Sequence, residues 1–103
     1  MEKSQYTIKY FPKFVSQLDN IFYYFVYELK NKIVAENFYK EVFNKIEKRS
    51  YNPTAFQVFK TTKEGVNWYK INVKNFVVLY VVKNEVMEVR RIFYNKRDLN
   101  QLI

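Results

Sequence analysis

The side chains best suited to chemistry gather in the last third of the chain. Lys70 lies in Tyr69-Lys70-Ile71, Arg90 and Arg91 are adjacent, Tyr94 follows, and Lys96-Arg97-Asp98 comes close behind. Guanidinium and ammonium groups hold phosphates, and an Arg beside a Tyr joins phosphate contact to base stacking. Proton transfer is the harder demand. The chain has no histidine and no cysteine, which removes the commonest general base near neutral pH and the usual zinc ligands. Any catalysis falls to Lys, Arg, Tyr, Asp or Glu. A disulfide is impossible, and neither a metal nor a cofactor is expected.

The charge points to the kind of partner. Eighteen Lys and Arg against ten Asp and Glu leave a net charge of +8, a field that draws nucleic acid, a ribonucleoprotein or an acidic protein. The bland alternative is charge kept for solubility. At 103 residues, 49% hydrophobic and 20% aromatic, the chain reads as one domain over 1–103, with ample material for a core. The N-terminus lacks the apolar stretch of a signal peptide. The longest apolar runs, residues 21–27 and 76–82, are too short for a bilayer. A cytoplasmic location is expected.

The elements that must position these groups follow from periodicity. Residues 6–11 read as a strand, and Pro12 suits the first helical position. Phe14, Leu18, Ile21, Phe25 and Leu29 recur at helical steps through about residue 30. After a break at Asn31-Lys32, Ala35, Phe38, Val42 and Ile46 mark a second helix over about 33–48, joined too tightly for anything but a hairpin. Asn52-Pro53 ends it. The period then changes: a possible short strand at 55–60, a loop around the only glycine, strands at 68–73, 76–82 and 86–94, and a short helix over 96–103 with Leu99 and Leu102 inward. The run 76–82 is unbroken and apolar, as in a central strand covered on both faces. Asn84 suits the positive φ of a tight turn. The fold class is α+β: an N-terminal strand and a two-helix hairpin on a curved antiparallel sheet of about four strands, with a short C-terminal helix.

Strict alternation in the last strand puts Met87, Val89, Arg91 and Phe93 on one face and Glu88, Arg90, Ile92 and Tyr94 on the other. One face packs on the helices, and the other presents Arg and Tyr in a shallow groove. The run Phe22-Tyr23-Tyr24-Phe25-Val26-Tyr27 spreads around its helix, so one packed face cannot hide it. Tyr23 and Tyr27 are either amphipathic surface residues or part of a protein interface on the outer side of the hairpin.

This element order resembles the RelE/ParE toxin superfamily over nearly the whole chain. The similarity rests on residues 6–11 followed by Pro12, on Leu18, Ile21, Tyr24, Ala35 and Phe38, and above all on the C-terminal series. That series is Asn75-Phe76, Leu79-Tyr80, Val89, Arg91-Ile92, Tyr94 and Lys96-Arg97-Asp98. The resemblance implies the growth-inhibiting toxin of a type II toxin–antitoxin module, neutralised by a cognate antitoxin, with Tyr23 and Tyr27 available to that antitoxin or to a second copy. Two targets occur in the superfamily. RelE-like members cleave messenger RNA in the ribosomal A site, and ParE-like members poison DNA gyrase.

On the RelE pattern, Lys70 and Arg97 match catalytic positions. A second lysine falls on Asn72, the central-strand arginine on Val77, and the late tyrosine has no counterpart. Losing one such stabilising donor costs roughly 10²–10³-fold, so a ParE-like action on gyrase is the leading expectation. The alternative is a ribosome-dependent mRNA endonuclease using Lys70, Arg91, Tyr94 and Arg97, and a third reading is an inactive binding module. Arg90 and Lys96 are further binding candidates. Each has a structural alternative: Lys70 as a solvated strand position, Asp98 as a cap or an ion-pair partner of Arg91 or Arg97, and an Arg stem as cover for apolar surface.

Overall fold

A computed structural model describes residues 5–95. Strand β1 (Thr7–Tyr10) leads through Pro12 into α1 (Pro12–Tyr23), which continues as a π-helical turn, Tyr24–Glu28. After the hairpin bend come α2 (Lys32–Arg49), β2 (Lys60–Thr61), β3 (Asn67–Val73), β4 (Phe76–Lys83) and β5 (Val86–Tyr94). The 96–103 helix inferred from sequence, with Lys96 and Arg97, lies outside the described residues.

The helices form as their spacing demands. Phe14 and Leu18 of α1 and Ala35, Phe38, Val42 and Ile46 of α2 are all buried. The N-cap Asn31 accepts a hydrogen bond from the Val34 N–H at 3.1 Å, which satisfies one of the orphan donors of the first turn. At about 100° per residue, Leu29 would drift off the stripe begun at Phe14. The wider π turn, closed by Leu29 N–H to Tyr24 O at 3.1 Å, returns Leu29 to the side of the hairpin that also bears Ile21 and Phe25.

Strands β2 to β5 make the antiparallel meander of four strands, in the order β5-β4-β3-β2. A fifth strand makes the sheet mixed rather than purely antiparallel: β1 joins the free edge of β5 in parallel, held by Thr7 N–H to Glu85 O at 3.0 Å and Phe11 N–H to Val89 O at 2.9 Å. Strand orientation depends on where the helical hairpin returns the chain, which alternation within residues 6–11 does not encode. The strand anticipated at 55–60 shrinks to Lys60–Thr61, because residues 50–56 are spent in turns and bends that carry the chain from α2 toward the sheet edge. Asn84 adopts a φ of 58° in the two-residue turn between β4 and β5.

Both faces of the sheet carry apolar residues. The face toward the helices packs Tyr69, Ile71, Val78, Tyr80, Met87, Val89 and Ile92 against Phe14, Leu18, Phe38, Val42 and Ile46. The other, open face holds a smaller cluster of Trp68, Val77, Leu79, Val81 and Phe93. Strand β4 is buried from both sides, as its unbroken apolar run requires.

One residue corrects the face assignment of β5. Leu79 pairs with Arg91, but its neighbour Tyr80 pairs with Val89, leaving Arg90 as an extra residue in a β-bulge. One extra residue inverts the alternation beyond it. Ile92 therefore joins Met87 and Val89 on the helix face, while Phe93 joins Leu79 on the open face, and Arg91 faces with them. The edge of β5 beyond the end of β1 is closed by a side chain of α1: Gln17 Oε1 accepts the Ile92 N–H at 3.0 Å.

Candidate functional site

Residues paired across neighbouring strands share a face. Lys70 pairs with Leu79 and Leu79 with Arg91, so the cations of β3 and β5 flank a buried leucine in one row of the open face. Two strand spacings put their backbones roughly 10 Å apart. Lys70 is exposed, with its Nζ 5.2 Å from the centroid of Phe59. Arg91 is half-buried and has no hydrogen-bond or ion-pair partner among the described residues. The next row along is Asn72, Val77 and Phe93, which is uncharged throughout.

Arg90 has a different role. Its Nη2 and Nε both meet Glu88 Oε1, at 2.6 and 3.2 Å, and its guanidinium lies 4.9 Å from the Phe11 centroid and 5.3 Å from that of Trp68. With side chains only 22% and 13% exposed, Arg90 and Glu88 form a largely desolvated pair roofed by aromatic rings. That charge is already spent inside the fold. The bulge makes this possible, since it turns Arg90 and Arg91 toward the same face.

The remaining candidates lie elsewhere. Tyr94 is on the helix side, paired with Phe76 and in edge contact with its ring at 5.4 Å. There it borders an apolar groove of about 800 Å³ beneath the hairpin, lined also by Ile21, Tyr24, Phe25, Leu29 and Phe38. The structure thus brings Lys70 and Arg91 together and sets Tyr94 apart from both. Tyr23 and Tyr27 stack on one another at 5.6 Å on the outside of the hairpin and are 56% and 65% exposed. Among the described residues, no cluster of three acidic side chains could hold a metal, and no helix is long and apolar enough to cross a membrane.

The family profile described as the ParE toxin of the type II toxin–antitoxin system, parDE, matches residues 8–99. The chain belongs to the ParE toxin family. Its fold is similar to that of a chromosomal ParDE toxin–antitoxin system from P. aeruginosa, with a TM-score of 0.71 at 17% identity over 87% of this chain and 96% of the other. It is similar also to an archaeal RelE–RelB complex from Pyrococcus horikoshii OT3, with a TM-score of 0.65 at 15% identity over 92% and 100% of the two chains. No curated protein sequence matches the chain.

Reading the sequence of this ParE-family toxin missed the residue that organises the back of its open face. Arg49, in the last turn of α2, donates from Nη1 to the Tyr80 hydroxyl at 2.9 Å and to Lys70 O at 3.2 Å. Its guanidinium lies 3.6 Å from the centroid of Phe56. Tyr80 in turn donates to Pro53 O at 2.7 Å. Lys45 Nζ takes the Asn72 carbonyl at 2.9 Å, so cations of α2 close the edge of β3 that short β2 leaves uncovered. Burial raises the Tyr80 hydroxyl above its ordinary pKa of 10.0. The bond and the charge of Arg49 oppose that rise, and neighbouring Tyr69 adds to it. The only trace of this network in the sequence is a basic last turn of α2 followed by Pro53, a pattern shared by many helix ends.

Proposed function

We propose that this toxin works by binding rather than by cutting RNA, as a ParE-like inhibitor of DNA gyrase held inactive by a cognate antitoxin in the cytoplasm. The observation that carries this reading is the dispersal of its proton-transfer candidates. Cleavage by a 2′-hydroxyl needs a base, a stabiliser and an acid converging on one phosphate. Lys70 and Arg91 share a row, but the adjoining row is Asn72, Val77 and Phe93, Arg90 is committed to Glu88, and Tyr94 lies on the opposite face. What the open face offers is cationic and aromatic contact surface, suited to docking. An antitoxin for a chain of net charge +8 is acidic, and an amphipathic segment of it fits the apolar groove beneath the hairpin, with Lys74 at the rim.

The shared face of Lys70 and Arg91 favours a second reading, ribosome-dependent mRNA cleavage. One experiment separates the two. The full chain is induced in cells and added to purified gyrase, alongside Lys70→Ala and Arg91→Ala. Inhibited supercoiling with intact transcripts is the expected result. Transcript cleavage that disappears in Lys70→Ala would overturn the gyrase reading.

A further inference from the structure

We propose that the outer face of the helical hairpin is a self-association surface on which a second copy of this chain docks about a two-fold axis. Tyr23 and Tyr27, more than half exposed, already stack at 5.6 Å with an interplanar angle of 24°. The ridge runs on across the hairpin through the edge contacts of Phe22 with Tyr23 at 6.4 Å and with Tyr39 at 5.5 Å. None of Phe22, Tyr23, Tyr27 or Tyr39 belongs to either apolar cluster. Such rings supply large, rigid contact area at low conformational cost, the composition typical of interface centres.

Charge decides which partner fits. A chain of net charge +8 repels its own copies over most of its surface. The groove of about 590 Å³ between Phe22, Tyr23 and Tyr39 differs, because Asp19, Glu36 and Lys40 border it together. The other three grooves described carry cationic side chains and no carboxylate. Glu36 and Lys40 stand one helical turn apart, yet neither they nor Asp19 form an ion pair among the described residues. In a two-fold contact, a residue that meets a second residue of the other copy has that pairing repeated on the far side of the axis, so in the proposed dimer Glu36 of each hairpin pairs with Lys40 of the other and both pairs form together. An acidic partner is disfavoured by those same carboxylates. The face is also free while the apolar groove is filled, because Asp19, Phe22 and Tyr23 point away from Ile21 on α1 and from Tyr24 just beyond it, as Glu36, Tyr39 and Lys40 do from Val34 and Phe38 on α2.

Sedimentation velocity of the full chain over a range of about 1–200 μM tests this, the window for a small interface. A concentration-dependent dimer is expected, weakened at least about tenfold by Tyr27→Glu. Lys40→Glu alone and Glu36→Lys alone should each be monomeric, and their equimolar mixture should recover the dimer, a result that misfolding does not produce. A chain monomeric throughout, or a dimer indifferent to all three substitutions, overturns the proposal. If the monomeric wild type is neutralised by its antitoxin and Tyr27→Glu escapes, the proposal falls and the face belongs to the antitoxin.

Discussion

The guanidinium of Arg49 and the phenol of Tyr80 meet at 2.9 Å beneath a sheet whose other face carries the candidate site. Through this contact the end of α2, the irregular segment after it and the Lys70 backbone are tied at one point. Tyr80 is fully buried, with Tyr69 stacked on it at 5.2 Å, so nothing replaces the donor when it is removed. Arg49→Ala should therefore cost about 2 kcal/mol, the scale of a hydrogen bond to a charged group plus a cation–π contact. That is about 8–16 °C in Tm for a domain of this size, read by thermal melting. Arg49→Lys, which lacks the flat fork, should recover less than half.

Two tyrosines make the fold sensitive to alkali. Burial raises the Tyr10 hydroxyl above 10.0, with the Glu47 charge adding, and burial likewise raises Tyr80. A proton held more tightly in the folded than in the unfolded chain stabilises the fold fully below the unfolded pKa. That contribution is lost as pH climbs through the folded one. Urea midpoints should be flat up to about pH 9 and fall from about pH 10 upward, with a shallower fall in Tyr10→Phe.

Adjacent arginines should behave oppositely. Arg90→Ala strands Glu88, 13% exposed, without its partner, and should lower stability by about 1–3 kcal/mol. Arg91 has no partner to strand among the described residues, so Arg91→Ala should leave stability within about 0.5 kcal/mol while weakening growth inhibition on induction. Chemical denaturation and a growth assay of the two variants, side by side, check the contrast.

Gln17 closes the β5 edge by accepting the Ile92 N–H at 3.0 Å. Replacing it by Leu keeps the bulk and removes the acceptor, which should cost about 1–2 kcal/mol. Amide hydrogen exchange at Ile92 should quicken selectively, because that N–H lies beyond the reach of β1.

Much of the fold was legible because it is local. The spacing of Phe14 and Leu18, and of Ala35, Phe38, Val42 and Ile46, specifies two buried helical stripes. The unbroken run in β4 specifies a strand covered on both faces. The C-terminal series carried the family resemblance that the match over residues 8–99 bears out. Of the candidate site, residue types were legible and faces were not. Arg91 and Tyr94 exchanged sides relative to strict alternation because Arg90 is one residue too many for the partner strand.

What the sequence by itself determined is therefore whatever repeats within one element: helix stripes, the apolar run of the central strand, the positive-φ turn at Asn84, and the want of histidine and cysteine that narrows the chemistry. Tertiary structure alone decided the parallel seat of β1, the bulge, and the closure of β3 by Arg49 and Lys45. Each of these is a relation between two segments rather than a property of one. Periodicity reports how a segment orients its own side chains, whereas register is set by the partner strand, and a single unmatched residue reverses every face beyond it.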